Sequence, residues 1–306
     1  MRSLAALVLL AGVIAFGGCA TVSGGATDIP VLQDKASGGD EAAVRALVGL
    51  LRSGERAKRD DAYKAIVASG KTAVPVLLEE LSDPDPAIRE YAAAALGESG
   101  DARAVKPLLD MLQNENVHKY IAAWGLGKLK AESAAGPLIG CLAVKNDALQ
   151  KEATRALIAI GEPAVPSLIA AFDSTDSDTR KFAARALGII EDKRAEAPLV
   201  KRLSDENDDV AAAAALALGT AGTKDCVPAL VAALKARHIV TRVNAEISLG
   251  TLEAKEAVGP LTDIVDNDDD PYVREWAARA LENITGDRHK YKDDHGVMAY
   301  PYNLYR

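Results

Sequence analysis

The stretch DPAIREYAAAALGESGDARAVKPLL, residues 85–109, decides the fold of this chain. It contains an alanine-rich run that ends at Leu96-Gly97 and a proline, Pro107, that opens a second apolar run. Proline fits the first turn of a helix, where its missing N–H would have no partner. Similar prolines recur 29 to 32 residues apart, at Pro75, Pro107, Pro137, Pro166, Pro198, Pro228 and Pro260. This period predicts a repeated unit of two helices, A and B, with each proline at the start of a helix A.

Helix B carries the stronger part of the pattern. A leucine, once an isoleucine, stands near its end and serves as the reference position: Ile66, Leu96, Leu126, Leu157, Leu187, Leu218, Leu249 and Leu281. An alanine always stands four residues earlier: Ala62, Ala92, Ala122, Ala153, Ala183, Ala214, Ala245 and Ala277. The residue just before the reference is small in every copy. Residues four apart share one helix face, so the two rows predict close packing between helices.

A glycine follows the reference position in five copies, at Gly97, Gly127, Gly188, Gly219 and Gly250. Glycine is common at the C-terminal end of helices. We therefore expect helix B to end at this position.

Eight copies between residues 40 and 286 predict an all-α fold, a solenoid of about eight stacked helix pairs. One pair cannot bury its own apolar face, whereas a stack of eight buries a continuous core. The composition agrees, because 49% of the residues are apolar and only 4% are aromatic, which favours closely packed Ala- and Leu-rich helices. Repeat 1, residues 40–70, lacks the opening proline, as expected of an end cap.

The quoted stretch resembles the HEAT repeat, in particular the short bacterial subtype that is also found in phycobilin lyases. The copies from Asp176 to Pro198 and from Val210 to Pro228 carry the same resemblance, which extends over about residues 40–286. It implies a right-handed α–α superhelix of the HEAT/armadillo type, with the B helices lining the concave side. It implies no particular chemistry.

The N-terminus has the features of an export signal. Arg2 precedes an uncharged run from Leu4 to Phe16, which is too short to span a bilayer, since a spanning helix needs about 20 apolar residues. The sequence Phe16-Gly17-Gly18-Cys19 resembles the bacterial lipobox, in which the cysteine is lipidated and becomes the mature N-terminus. We expect a lipoprotein signal peptide at residues 1–18 and lipidation at Cys19. A plain secretory signal or an uncleaved anchor is the alternative.

Residues 19–39 contain Gly-Gly and Ser-Gly-Gly sequences and are expected to form a flexible tether between the lipid and the solenoid. Ala20, which follows the lipidated cysteine, is not the aspartate that retains such lipoproteins in an inner membrane. By resemblance to these sorting rules, the expected location is the cell envelope, on the outer membrane and facing the periplasm.

Several kinds of site lack support in the sequence. The net charge of −8 argues against a nucleic-acid partner, because phosphate attracts basic surfaces. No phosphate-binding loop, Cys-x-x-Cys pair or nucleophile elbow is present, and the four histidines lie in different repeats or in the tail. We expect no catalytic residues, no metal and no cofactor, and we expect Cys141 and Cys226 to be buried thiols. The acidic run at residues 266–270 could hold Ca²⁺ but is more typical of a solvated loop.

One surface is chemically uneven along the array. The residues six and two positions before the reference share a helix face that should point to the concave side. They are Glu90 and Ala94, Tyr120 and Trp124, Lys151 and Arg155, Lys181 and Arg185, Ala212 and Leu216, Val243 and Ile247, and Glu275 and Arg279. Repeats 3–5 thus present two aromatic residues and four cations, and repeats 6 and 7 present apolar residues.

This distribution predicts a partner-binding site formed by Tyr120, Trp124, Lys151, Arg155, Lys181 and Arg185. Trp, Tyr and Arg dominate the binding energy of many interfaces. The expected partner is a protein or peptide with an acidic patch. The alternative is that the lysines and arginines only solvate the helix face and pair with neighbouring acids.

The last 20 residues, 287–306, contain four of the eight tyrosines of the chain. Such an aromatic tail is expected either to cap repeat 8 or to recognise a partner.

Three functions compete at this point. The favoured hypothesis is a lipid-anchored, non-catalytic envelope scaffold that binds its partner on the concave face of the B helices. The second is an enzyme, or an enzyme subunit resembling bilin lyases, which export and the missing catalytic constellation both disfavour. The third is a structural envelope component that self-associates through its solenoid ends.

Overall fold

The structure is a computed structural model, and it describes residues 28–113 and 119–301. An N-terminal helix, α1 (Ile29–Ser37), precedes eight helix pairs. The A helices are α2 (Glu41–Leu50), α4 (Val74–Glu80), α6 (Val105–Gln113), α8 (Ala135–Leu142), α10 (Val165–Ala170), α12 (Glu196–Arg202), α14 (Val227–Ala233) and α16 (Val258–Asn267). The B helices are α3 (Arg56–Ala68), α5 (Pro86–Glu98), α7 (Lys119–Lys128), α9 (Asp147–Ile160), α11 (Ser177–Ile190), α13 (Asp208–Ala221), α15 (Ile239–Thr251) and α17 (Pro271–Thr285). The predicted all-α solenoid is confirmed.

Each helix pair begins and turns as the sequence indicates. From repeat 2 onward, the recurring proline is the second or third residue of the A helix, where no backbone N–H is needed. A short 3₁₀ turn precedes each of these A helices: Gly70–Ala73, Ala102–Ala104, Glu132–Ala134, Glu162–Ala164, Lys193–Ala195, Lys224–Cys226 and Lys255–Ala257. Another, Ala171–Asp173, follows α10. Asp85, Asp176 and Asp270 accept backbone N–H groups of the first turn of their B helices and so cap them.

The core consists of the two rows identified in the sequence. All eight reference residues and all eight alanines four positions earlier are at most 2% exposed. Because alanine is small, the backbones of successive B helices approach closely. Successive B helices also contact each other far more extensively than successive A helices do. A stack whose layers are closer on one side curves toward that side, so the B helices form the concave face.

The glycines after the reference position lie in the last turn of their B helices, which end one or two residues later, and they also have a packing role. Gly127 and Gly188 lie inside α7 and α11 and face the next B helix. A Cβ atom at Gly127 would lie 2.7 Å from the Cα of Ala156, and one at Gly188 would lie 2.8 Å from the Cα of Ala217. Glycine is therefore required by the approach of two helix backbones. Repeats 1 and 4 have Val67 and Ile158 instead, and there α3 packs on α5, and α9 on α11, less extensively than at the other B-helix junctions.

We predict that Gly188→Ala destabilises the protein although alanine is the better helix former. The added methyl group must displace the backbone of α13, and such overpacking costs about 1–3 kcal/mol. Gly140→Ala is the matched control, because Gly140 is exposed in α8 and an added Cβ would meet no atom within 4 Å. The control should gain about 0.5–1 kcal/mol. Urea denaturation measures the free energy of unfolding of both variants. An equal gain in stability in the two variants would contradict the close approach of Gly188 to Ala217.

The expected flexible tether at residues 19–39 requires correction. Residues 29–37 form α1, because Ile29, Leu32 and Ala36 lie on one helix face and pack against the core. Ala36 is fully buried, and the Thr72 hydroxyl donates to its carbonyl oxygen at 2.8 Å. Helix α1 thus extends the solenoid before residue 40. The predicted signal peptide at residues 1–18, Cys19 and the remaining tether to residue 27 lie outside the described residues.

The described part of the tail, residues 287–301, lies against the last repeat. Strands β1 (Tyr291–Lys292) and β2 (Met298–Ala299) form an antiparallel hairpin, and β1 contacts α16 and α17. Arg274 of α17 donates through Nε to the carbonyl oxygen of Lys292 at 2.7 Å and through Nη2 to that of Asp293 at 3.3 Å. The hairpin thus takes the place of a following repeat, because it supplies hydrogen-bond acceptors to an arginine of the last B helix. Residues 302–306 lie outside the described part.

An arginine and an aspartate form a buried ion pair between repeats 5 and 6. Arg180 donates to Asp205 through Nε at 3.0 Å and through Nη2 at 2.8 Å, and the two side chains are 5% and 2% exposed. Nη1 of Arg180 donates to the carbonyl oxygen of Ser174 at 2.8 Å. Burial alone would raise the pKa of Asp205, but the hydrogen bonds from Arg180 and from the Asn207 N–H hold it below its ordinary value.

Repeat 7 buries a carboxyl group without a partner. Glu246 of α15 is fully buried, and neither of its carboxylate oxygens has a hydrogen-bond partner among the described residues. Burial, followed by the charge of Asp268, raises its pKa to about 9. Five other repeats have a fully buried alanine at this position, three residues before the reference: Ala93, Ala123, Ala184, Ala215 and Ala278. Glu246 therefore departs from the pattern at an energetic cost.

Within residues 28–113 and 119–301, no single helix has the length and apolar character needed to cross a membrane; the bent pair Asp147–Ile160 and Glu162–Asp173 passes such a test only when the two are taken together.

Candidate functional site: the concave face of the B helices

The six predicted binding residues lie on three successive B helices, α7, α9 and α11. Lys151, Arg155 and Arg185 are exposed, whereas Tyr120, Trp124 and Lys181 are half-buried. Three of the side chains are therefore available to a partner, and the other three are partly packed into the face. None of the six is fully buried.

At repeats 2 and 3 the polar groups of the face bind each other. The Tyr120 hydroxyl donates to Oε1 of Glu90 at 3.4 Å. The ammonium of Lys128 lies 3.1 Å from Oε1 of Glu98 and 5.3 Å from the ring centre of Trp124, over its face. The contacts of Tyr120 with Glu90 and of Lys128 with Glu98 connect α7 to α5, so these side chains stabilise the junction of two repeats.

The cations of repeats 4 and 5 fall into two groups. Arg155 pairs with Glu152 at 2.5 Å, and Lys181 pairs with Asp178 at 2.6 Å. Hydrogen bonds from Lys145 and then Lys181 hold the pKa of Asp178 at about 2. Asp178 therefore stays ionised at neutral pH.

The other two cations, Lys151 and Arg185, make no ion pair within the described parts of the chain. Arg185 lies 5.8 Å from the ring centre of Phe182, and Lys181 lies 5.0 Å from the same ring. The contact with the Phe182 ring orients the Arg185 guanidinium without neutralising its charge. The positive charge available to a partner is thus centred on Lys151 and Arg185.

The apolar strip of repeats 6 and 7 differs from the expectation. Leu216 is 47% exposed and Ile247 is half-buried, but Ala212 and Val243 are only 5% and 4% exposed. Glu90 and Ala94 of repeat 2 are buried as well. The sequence-based register placed these four residues on the open face, which was wrong because adjacent B helices cover them. The Asn244 amide, for example, donates across the junction to the carbonyl oxygen of Ala212 at 2.8 Å.

Sequence reasoning missed three further groups on this face. Ile189 is 62% exposed, one helical turn after Arg185. Phe182 and Trp276 stand five, not six, positions before the reference and are half-buried beside Arg185 and Arg279. Tyr272 is 53% exposed and contacts Trp276 edge-on, with ring centres 6.2 Å apart. Spacings of three and four residues from the chosen positions would have found them.

Chemical groups elsewhere do not converge. Cys141 and Cys226 are buried free thiols, and burial raises the pKa of Cys226 to about 11, which leaves it protonated at neutral pH. Among the described residues, no group of three or more His, Cys, Asp or Glu side chains is arranged to hold a metal ion.

Comparison with known proteins agrees with this architecture. The family model described as HEAT repeats matches residues 44–127, 74–158, 117–188, 142–204 and 196–282, which together cover most of the chain. No functionally curated protein matches the sequence.

Solved structures with this fold include importin β, at 14% identity and a TM-score of 0.58, covering 82% of this chain and 42% of that one. A structure of Kap95p bound to RanGDP matches at 14% identity and a TM-score of 0.57, covering 84% of this chain and 42% of that one. The CpcE–CpcF complex of phycocyanin lyase from Nostoc sp. PCC7120 matches at 24% identity and a TM-score of 0.46, covering 48% of this chain and 98% of that one. This chain thus spans about two fifths of the two importin-type chains. With the repeat rows, the buried helix junctions and the matched family model in agreement, the chain belongs to the HEAT-repeat family, whose fold is that of a protein-interaction scaffold.

Proposed function

We propose that this protein is a non-catalytic scaffold that binds a protein or peptide partner on the concave face of its B helices. The observation that carries the proposal is that two exposed cations, Lys151 and Arg185, form no ion pair with any residue in the described ranges 28–113 and 119–301. Arg185 lies 5.8 Å from the ring centre of Phe182, and the chain as a whole has a net charge of −8. A local positive surface on an acidic protein, next to rigid aromatic groups, is typical of an interface.

The anchor forms part of the same proposal. The uncharged run from Leu4 to Phe16 and the Gly-Gly-Cys sequence that ends at Cys19 support a lipid attached to Cys19. The lipid holds the scaffold at the cell envelope, on the outer membrane and facing the periplasm. Replacement of this cysteine, Cys19→Ser, should move the protein from the membrane fraction to the soluble fraction.

We predict that charge reversal on the concave face abolishes binding without unfolding the protein. The variant combines Lys151→Glu, Arg155→Glu, Lys181→Glu and Arg185→Glu. Binding should fall by at least about 100-fold, because close charge pairs at interfaces contribute roughly 1.5 kcal/mol or more each. The melting temperature should change little, because partly exposed ion pairs contribute only about 0–1 kcal/mol each. A photo-reactive residue at position 124 in the native envelope identifies the partner by cross-linking.

The matched control reverses four exposed cations on the A-helix side: Lys106, Lys201, Lys224 and Lys255. This variant has the same net charge as the concave variant but retains the concave face. It should cross-link the same partner through position 124 as the wild-type protein does. Loss of the cross-linked species in both variants, or in neither, would contradict a binding site on the concave face.

A further inference from the structure

The unpaired positive charge of the concave face continues directly into its exposed apolar residues. Arg185 and Ile189 are four residues apart on α11 and so lie on one helix face. Ile189 is 62% exposed, and the next B helix presents Leu216 at 47% exposure. A partner that contacts Arg185 therefore meets apolar surface one helical turn away and one repeat further along.

Hydrogen bonds across the junctions show that these side chains are neighbours. The Thr220 hydroxyl donates to the carbonyl oxygen of Gly188 at 2.5 Å, which aligns the ends of α11 and α13. The Ser248 hydroxyl donates to the carbonyl oxygen of Ala215 at 2.7 Å, which places Leu216 beside Ile247. Ile189, Leu216 and Ile247 lie on three successive B helices and are together called the apolar strip of repeats 5–7; Lys151 and Arg185 lie at its repeat-4 end.

The two ends of the face offer less unpaired charge to a partner. At repeats 2 and 3, Glu98 already neutralises Lys128, and Glu90 accepts from the Tyr120 hydroxyl. At repeat 8, Arg279 pairs with Glu275 at 2.6 Å. The unmatched charge and the exposed apolar area thus coincide between α9 and α15.

We infer that the partner presents a linear acidic–apolar segment, with carboxylates on Lys151 and Arg185 and apolar side chains on the strip formed by Ile189, Leu216 and Ile247. This inference rests on the proposed function, since it names the chemistry of the partner of the same face. Packed helices lie about 8–10 Å apart, so the distance from α9 to α15 is roughly 27 Å. An extended segment of about nine residues covers that distance.

The test uses fluorescently labelled synthetic peptides and the full-length protein, with anisotropy as the measurement. One peptide joins a Glu/Asp block to a Leu/Val block; a second replaces the acidic block with lysine; a third replaces the apolar block with serine. The acidic–apolar peptide should bind at least about ten-fold more tightly than either analogue, because both parts of the surface contribute. Its affinity should fall as salt rises.

Variants of the protein locate the binding. Lys151→Glu with Arg185→Glu should reverse the preference toward the lysine–apolar peptide. Ile189→Ser with Leu216→Ser should weaken the acidic–apolar peptide about ten-fold; both residues are exposed, so folding is preserved. The control, Lys106→Glu with Lys201→Glu, makes the same charge change on the A helices and should leave the preference intact.

Equal binding of the acidic and lysine peptides, binding of neither, or equal loss in the concave and control variants would overturn the inference. If cross-linking at position 124 nevertheless captures a partner that is lost only on concave charge reversal, the proposed function stands and only the partner class falls. If that capture also fails, the proposed function falls with it.

Discussion

Replacing Arg180 with alanine should lower the free energy of unfolding by about 3–5 kcal/mol, the usual cost of removing one partner of a buried ion pair. The reason is that Asp205, whose side chain is 2% exposed, would keep a buried charge without its bidentate partner. The carbonyl oxygen of Ser174 would also lose its donor. Urea denaturation followed by circular dichroism measures the loss.

Arg194→Ala is the matched control for this prediction. Arg194 also makes a two-point contact with an aspartate, Asp192, but its side chain is 55% exposed. Its removal should cost less than about 1 kcal/mol. If Arg180→Ala leaves too little folded protein, the double variant Arg180→Met with Asp205→Leu should be more stable than Arg180→Ala, because it removes the buried carboxylate together with its bidentate partner.

The Arg180 effect should also depend on pH. Since the pKa of Asp205 is lowered in the folded state, the ion pair contributes fully above the ordinary carboxyl range and is lost as pH falls through the folded pKa. The difference between the wild-type protein and Arg180→Ala should therefore shrink under acidic conditions. A penalty below 1 kcal/mol at neutral pH, equal to that of the Arg194 control, would show that the pair contributes no more than a surface contact.

Replacing Glu246 with glutamine should stabilise the protein, and increasingly so as pH rises. The folded pKa of Glu246 is about 9, against an ordinary value of 4.5. Between these values the folded chain holds a proton that the unfolded chain has lost, so the stability of the wild-type protein falls as pH rises. The slope is about 1.4 kcal/mol per pH unit at most. From pH 5 to pH 8 the glutamine variant should therefore gain about 4 kcal/mol relative to the wild-type protein.

Glutamine keeps the shape of the side chain, so the comparison isolates ionisation from cavity formation. Glu256→Gln removes an exposed carboxylate at the start of the following repeat and should leave the pH dependence as it is. The Glu246→Ala variant restores the alanine of five other repeats. Parallel pH profiles for Glu246→Gln and the wild-type protein would mean that Glu246 is solvated in the folded state.

The repeat rows show how much of the fold the sequence could predict. Period, reference leucines and alanines follow from helix geometry alone, because a row of apolar residues at fixed spacing must face the neighbouring repeat. The helix at residues 29–37 was missed because flanking Gly and Ser residues suggested a tether, while three apolar residues at helical spacing were enough to dock it on the core.

The candidate site was less predictable, since it depends on how closely two helices approach. Whether Ala212 and Val243 are covered depends on the B-helix spacing, which Gly188 and Gly219 set by allowing backbone contact. The sequence pattern also does not show which cations form ion pairs. Arg155 and Lys151 share a helix face, but among the described residues only Arg155 forms an ion pair, with Glu152. Local spacing predicts a face, and tertiary contact decides which of its side chains stay available.

The missing glycine of repeat 4 has a mechanical consequence. Ile158 stands in place of the glycine at the α9–α11 junction, and these two helices pack on each other less extensively than the helices of the glycine-bearing junctions do. Lys151 lies on one side of the joint and Arg185 on the other. An occupant held by both cations would therefore bridge one of the two least extensively packed junctions of the inner wall and restrain repeats 4 and 5 relative to each other.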